Sequence, residues 1–244
     1  MKRAALAAIA LFLTASAVGA QTVDLGALIP SGGASATARI VQMVAILTVL
    51  SLAPGLLIMV TSFTRFIVAL SFLRSGLGVQ STPANLVLIS LSLFMTFYVM
   101  APTFDRAWHN GLEPLMDNTI SQQEAYGAIT QPFREFMLAQ VREKDIALFE
   151  DLSKGNFQIK DRSTVDLRVL IPAFMISELR RGFEIGFLIV LPFLVIDMIV
   201  AALTMSMGMM MLPPSVISLP VKLLFFVLVD GWNLLIGSLV RSVN

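Results

Sequence analysis

The 244-residue chain contains no cysteine. That removes disulfides, thiolate metal sites and cysteine nucleophiles, and it agrees with a compartment in which a stray thiol would oxidise. Histidine occurs once, as His109 beside Trp108, and no Ser or Asp partner motif accompanies it. No phosphate-binding glycine loop, zinc-ligand spacing or Ser-centred elbow is present in the sequence. Charge is also scarce: Asp, Glu, Lys and Arg make up 14% of the chain, against about 25% in soluble domains. A formal charge of +1 gives no basic face for nucleic acid. The chain is therefore read as a non-enzyme that uses no cofactor and no metal.

What is abundant is apolar. Hydrophobic residues reach 57%, above the about 45–50% of soluble proteins, so a bilayer or a large hydrophobic assembly is implied. The few charges are also unevenly placed. Of the 33 charged side chains, 22 lie between Asp105 and Arg181, ten basic and twelve acidic. The paired acids there, Glu143/Asp145 and Glu150/Asp151, read as solvated helix faces.

These contrasts predict five regions. Residues 1–20 read as a signal peptide, with Lys2 and Arg3 first, an apolar run from Ala4 to Leu13, and Val18-Gly19-Ala20 before Gln21. The alternative, a first spanning helix, suffers from a run shorter than the roughly 20 residues a span requires. Residues 21–39 form a flexible arm rich in Gly, Ser and Ala. Residues 40–104 hold a first apolar pair, Ile40 to Val60 and Leu86 to about Phe104, joined by a loop over 61–85; Pro54-Gly55 predicts a kink in the first member. Within that loop Phe63, Phe66, Ile67, Leu70, Leu73 and Leu77 make a helical stripe, with Arg65 and Arg74 as its only charges. Gly76, Gly78 and Pro83 punctuate its end.

Residues 105–181 read as a small water-facing helical module. Ser121 and Glu124 have the spacing of a capping box, and Pro132 suits the first turn of a helix carrying Phe133, Phe136, Met137 and Val141. Gly155 is the expected stop, and Ser163 with Asp166 the next start. Residues 182–244 hold the second apolar hairpin, Phe183 to Met207 and Ser215 to Val240, joined by Gly208 to Pro214. With the mature N-terminus outside, Arg65 and Arg74 fall on the cytoplasmic side. The charged module then lies outside, the turn at 208–214 inside, and residue 244 outside.

Two groups of residues stand out. Glu184, Asp197, Lys222 and Asp230 interrupt the last apolar segments, where a charge at the centre of a lipid-facing helix costs roughly 2.5–3.5 kcal/mol. With the hairpin midpoint near Met211, Asp197 and Lys222 are offset by some three residues, roughly 4.5 Å of rise, so a structural ion pair is feasible. Six methionines fall between Met198 and Met211. Three are consecutive, Met209, Met210 and Met211, and cannot share one helix face. They suit an adaptable turn that seals a pore, ordinary apolar filling, or a thioether copper site.

Several long, ordered stretches resemble one known family. Thr61-Ser-Phe-Thr-Arg-Phe-Ile-Val-Ala-Leu-Ser-Phe-Leu-Arg74 with Gln80-Ser-Thr-Pro-Ala-Asn85 is similar to the first signature of the flagellar biosynthesis protein FliP family. Pro172-Ala-Phe-Met-Ile-Ser-Glu-Leu-Arg180, Ile185-Gly-Phe-Leu and Leu191-Pro-Phe-Leu-Val-Ile-Asp197 are similar to its second. Met207 to Pro214, Ile217-Ser-Leu-Pro-Val-Lys222 and Phe226-Val-Leu-Val-Asp-Gly-Trp-Asn233 complete the resemblance, which covers about residues 40–240. One departure is Ser81-Thr82-Pro83-Ala84, where a second proline is common in the family.

The resemblance implies an all-α, membrane-type fold of bent helical hairpins with a small extracytoplasmic module, assembling into a helical oligomer. It implies a core subunit of the type III protein export gate, in the bacterial inner membrane at the flagellar basal body. Several copies would join FliQ- and FliR-type partners and other export-apparatus and basal-body proteins around a pore for unfolded polypeptides. Met209, Met210 and Met211 would be the pore gasket. Arg65, Arg74, Glu178 and Asp230 become candidates for assembly or gating. The resemblance also implies that much of the protein sits above the lipid plane, although hydropathy predicts four spans. Alternatives are the homologous subunit of a virulence secretion system, a secondary transporter or ion channel, for which no repeated halves are visible, and a membrane-embedded hydrolase, which lacks catalytic motifs.

Overall fold

The computed structural model describes residues 36–79, 82–153, 165–208 and 213–243. They form helices and no strand. The signal peptide, nearly all of the arm, Gly155, Ser163 and Met209 to Met211 lie outside the described residues. Two compact units divide at Ala53/Pro54. The first contributes most of helix α1, Ala36–Met59, which runs as one helix through Pro54-Gly55. The second unit holds everything that follows.

Helix α2, Phe63–Leu77, realises the apolar stripe of the 61–85 stretch. It stops at Gly78, whose φ of 77° lies in the left-handed region that a side chain disfavours. Helix α3, Asn85–Ala107, continues into a π-helical turn at Trp108–Leu112 and a short α4, Glu113–Met116. Helix α5 is Gln122–Gln140 and α6 is Glu143–Leu152. Helix α7, Leu167–Ser206, runs 40 residues, about 60 Å at 1.5 Å per residue. Helices α8, Pro214–Leu228, and α9, Gly231–Arg241, meet at a bend of 67°.

Four local expectations need correction. Pro132 lies inside α5 rather than in its first turn. The Ser121 capping box starts that helix ten residues earlier by satisfying N-terminal amides, and the helix continues through the proline. The charged stretch carries two helices in place of one, because Val141 and Arg142 adopt extended backbone between α5 and α6. No break separates the module from the second hairpin at 181/182. Asp166 caps α7 by accepting from the Arg168 amide at 2.8 Å, and the helix then runs unbroken past Arg181 into the apolar region. Finally, Ser215 to Val240 is not one helix. Asp230 adopts φ 51°, ψ 51°, a left-handed conformation that aspartate tolerates better than most residues, and the axis turns there.

Packing is organised by α2 and α7, which share the most extensive seam. A Cβ added at Gly186 would fall 2.6 Å from the Phe72 ring, so this position needs glycine for the helices to approach. One buried cluster joins α2, α3, α7, α8 and α9 through Phe66, Leu70, Leu88, Phe193, Phe226 and Leu239. A second, around Met137, Ile146, Leu170 and Phe174, joins α5 and α6 to the start of α7. Large apolar side chains also face outward, among them Phe94 and Tyr98 on α3, Phe187, Leu188 and Met198 on α7, and Val227 and Leu228 on α8. Among the described residues, Ile40–Met59, Asn85–Met116 and Leu167–Ser206 are long and apolar enough to cross a membrane, with the bent α8–α9 pair a fourth if taken as one span. The all-α, membrane-type architecture is what the apolar periodicity predicts.

Candidate functional site: two ion pairs set in apolar helices

Arg65 lies beside the apolar stripe of α2, on the side that carries Ala69 and Gly76 and faces α7, where a lone buried guanidinium would be costly. Both its side chain and that of Glu178 on α7 are 0% exposed. Their contact is bidentate: Nε donates to Glu178 Oε2 at 2.8 Å and Nη2 donates to Oε1. Nη2 also donates to Gln140 Oε1 at 3.0 Å, at the last residue of α5. Nη1 donates to the carbonyl and the hydroxyl of Ser242, just beyond α9. A guanidinium has five N–H groups, and all five are matched here. Gln140 adds two more ties, accepting from Arg181 at 3.1 Å and donating to the Val243 carbonyl at 2.8 Å. Burial without partners would be prohibitive, but this hub is saturated, and it fastens α2, α5, α7 and the residues after α9 at one point.

A related cluster sits beside it, at Ser177, the residue before Glu178 on α7. Arg142 clasps Asp145 with Nε and Nη2 at 2.9 and 2.8 Å. The Ser177 hydroxyl donates to Asp145 and accepts from the Arg142 amide at 3.1 Å. The extended backbone between α5 and α6 is thereby pinned to α7.

The second pair is differently placed. Lys222 on α8 reaches Asp197 on α7 and also donates to the Gly76 carbonyl of α2 at 3.0 Å. The lysine side chain is 6% exposed, whereas that of Asp197 is 40% exposed. The carboxylate opens onto a cleft of about 530 Å³ whose lining includes Ser75, Gly78, Ser215 and Ser218. The cleft lies next to the methionine turn in the chain, of which Met209, Met210 and Met211 fall outside the described residues.

Of the remaining candidates, Arg74 donates to the Asn85 side chain across the turn between α2 and α3. Asp230 stands exposed at the α8–α9 bend. Glu184, at an exposed position, pairs with Arg180 at 2.7 Å. His109 pairs with Glu113 at 2.6 Å, and both are exposed. No group of three or more His, Cys, Asp or Glu able to hold a metal occurs among the described residues. The sequence names Arg65 and Glu178 separately but not as partners, and it misses Gln140, Ser242 and the Asp145–Ser177 contact. One signal points to the pair: an arginine within a helix otherwise nearly free of charge calls for a counter-charge if it is buried.

Comparison with known proteins gives one consistent result. The FliP family model matches residues 46–239. The chain is 58% identical over 244 residues to the flagellar biosynthetic protein FliP of Rhizobium meliloti (strain 1021), covering 99% of both chains. It is 62% identical over 211 residues to that of Agrobacterium fabrum (strain C58 / ATCC 33970), covering 86% of each. With the protein of the same name from Bacillus subtilis (strain 168) it shares 52% over 202 residues, 83% of this chain and 91% of the relative. The matched span contains α2 to α8 and most of α9, and with them Arg65, Gln140, Glu178, Asp197 and Lys222: the chain belongs to the FliP family.

Proposed function

We propose that this protein is a core subunit of the flagellar type III protein export gate, acting with further copies of itself and with FliQ- and FliR-type small partners in the bacterial inner membrane at the basal body. In this reading it does no chemistry of its own and forms part of the pore through which unfolded flagellar polypeptides leave. The observation that carries it is the FliP-family match over residues 46–239. The outward-facing apolar side chains of α3, α7 and α8 support it, because an assembly or bilayer is needed to cover them. A native mass of the purified assembly should show several copies together with smaller partners, and a stable monomer active on its own would refute the reading. Within it, Met209, Met210 and Met211 line the closed pore as a deformable gasket. Replacing all three by alanine should raise small-molecule leakage through the assembled gate; unchanged permeability would remove the gasket role.

A further inference from the structure

The hub has an asymmetry that ion pairing alone does not account for. Glu178 and Gln140 take three of the Arg65 N–H groups. The other two, both on Nη1, are taken by Ser242 alone, through its carbonyl and its hydroxyl. The next carbonyl, of Val243, is taken by Gln140 Nε2, and the Val243 side chain, 5% exposed, joins the core cluster of α2 and α9. Two consecutive backbone carbonyls are thus read by two polar side chains, while the neighbouring side chain fills an apolar slot. That is how a bound peptide is held, with main-chain hydrogen bonds giving affinity and a pocket giving register.

We propose that residues 242–243 are a latch: a segment that docks reversibly into a receptor made by Arg65, Gln140 and the surrounding core, and whose docking holds α9 in place. Helix α9 has need of such a device. It leaves α8 through the left-handed Asp230 at a 67° bend, and Leu235 and Leu239 seat its middle in the core. Its other end is held by the hub. Because Gln140 also closes α5 and takes a hydrogen bond from Arg181 of α7, the docked latch couples the α8–α9 pair to the charged module. Release would free the end of α9 beyond Leu239 while leaving Arg65–Glu178 intact. The proposal does not depend on the export role.

The absence of cysteine allows a clean test in the full chain. Val243→Cys should react with a water-soluble maleimide at least tenfold more slowly than Asp151→Cys, which stands on the exposed side of α6. Adding Gln140→Leu, which removes one of the two carbonyl donors and leaves the ion pair, should accelerate labelling at 243 several-fold. Adding Arg65→Met should bring it to the Asp151→Cys rate. Ala173→Cys, fully buried in the second core, reports whether the protein as a whole has opened. Protection at 173 with exposure at 243 in the Gln140→Leu chain establishes the latch. The proposal is overturned if residue 243 labels as fast as residue 151 in the unmodified background. It is equally overturned if Gln140→Leu leaves labelling at 243 slow, or exposes 173 and 243 to the same degree, for then no separate docking step exists. Should Arg65→Met unprotect both positions, the Gln140→Leu result decides.

Discussion

The carboxylates of Glu178 and Asp197 lie on the same helix, each facing a cation from another helix, and yet they do opposite jobs. Glu178 is sealed: neither it nor Arg65 touches solvent, and every donor on the arginine has an acceptor. Asp197 is open on one side to a cleft, and only its lysine partner is buried. In the sealed case the energy at stake is the desolvation that pairing offsets, which is released in full when one partner is removed. In the open case water can solvate the carboxylate if its partner is lost, so the pair should hold the fold less strongly than the sealed one, although Lys222 is itself buried.

The largest effect should follow from breaking the sealed pair. Arg65→Ala or Glu178→Ala leaves the other charge buried and should cost about 3–5 kcal/mol, seen as loss of accumulated protein or a lowered denaturant midpoint in detergent. Replacing both at once, as Arg65→Met with Glu178→Leu, should cost less than either alanine change. A double variant as damaged as the sum of the singles would show that the two charges are not energetically coupled.

The open pair gives the sharper contrast. Asp197→Asn keeps the shape and one oxygen for Lys222, which retains the Gly76 carbonyl. The stability change should be smaller than at the sealed pair, because the Asp197 side is open to water and Lys222 keeps the Gly76 carbonyl. A double-mutant cycle between Asp197→Asn and Lys222→Met should return a coupling several-fold smaller than the cycle at Arg65 and Glu178. Equal couplings would erase the distinction between the sealed and the open pair.

How far these sites could be read from the sequence differs for reasons that are physical. Asp197 and Lys222 flank a hairpin turn, so helical rise alone brings them within reach, and local periodicity suffices. The Arg65–Glu178 contact spans 113 residues and depends on α2 lying along α7, which in turn depends on Gly186 admitting Phe72. No local pattern carries that information. The apolar helices and the capping signals at Ser121 and Asp166 were legible because they are local. The unbroken course of α7 was not, since the drop in charge after Arg181 marks a change of surroundings and not of backbone. The bend at Asp230 was hidden within an apolar stretch long enough to pass for one straight helix.

Glu124 extends the series to a carboxylate wholly in water, where the effect should be smallest. Its side chain accepts from the amide and the hydroxyl of Ser121, both at 2.8 Å, while the Ser121 hydroxyl accepts from the Glu124 amide. Those bonds, that from the Ser121 amide first, hold its carboxyl below the usual glutamate range. A carboxyl whose folded pKa is depressed contributes stability at pH values above its unfolded pKa, and that contribution fades as the pH falls toward and through the folded value. The cap should therefore be at full strength at neutral pH and weaken only in acid, below the ordinary glutamate titration. Ser121→Ala should cost about 1 kcal/mol at pH 7, visible as faster amide exchange in the first turn of α5. Glu124→Gln should abolish the acid dependence of that exchange while leaving both ion pairs on α7 undisturbed. If the first turn of α5 frays to the same extent at pH 7 and at a pH well below the ordinary glutamate titration in the unmodified protein, the carboxylate is not what holds it, and water access would no longer rank the three sites.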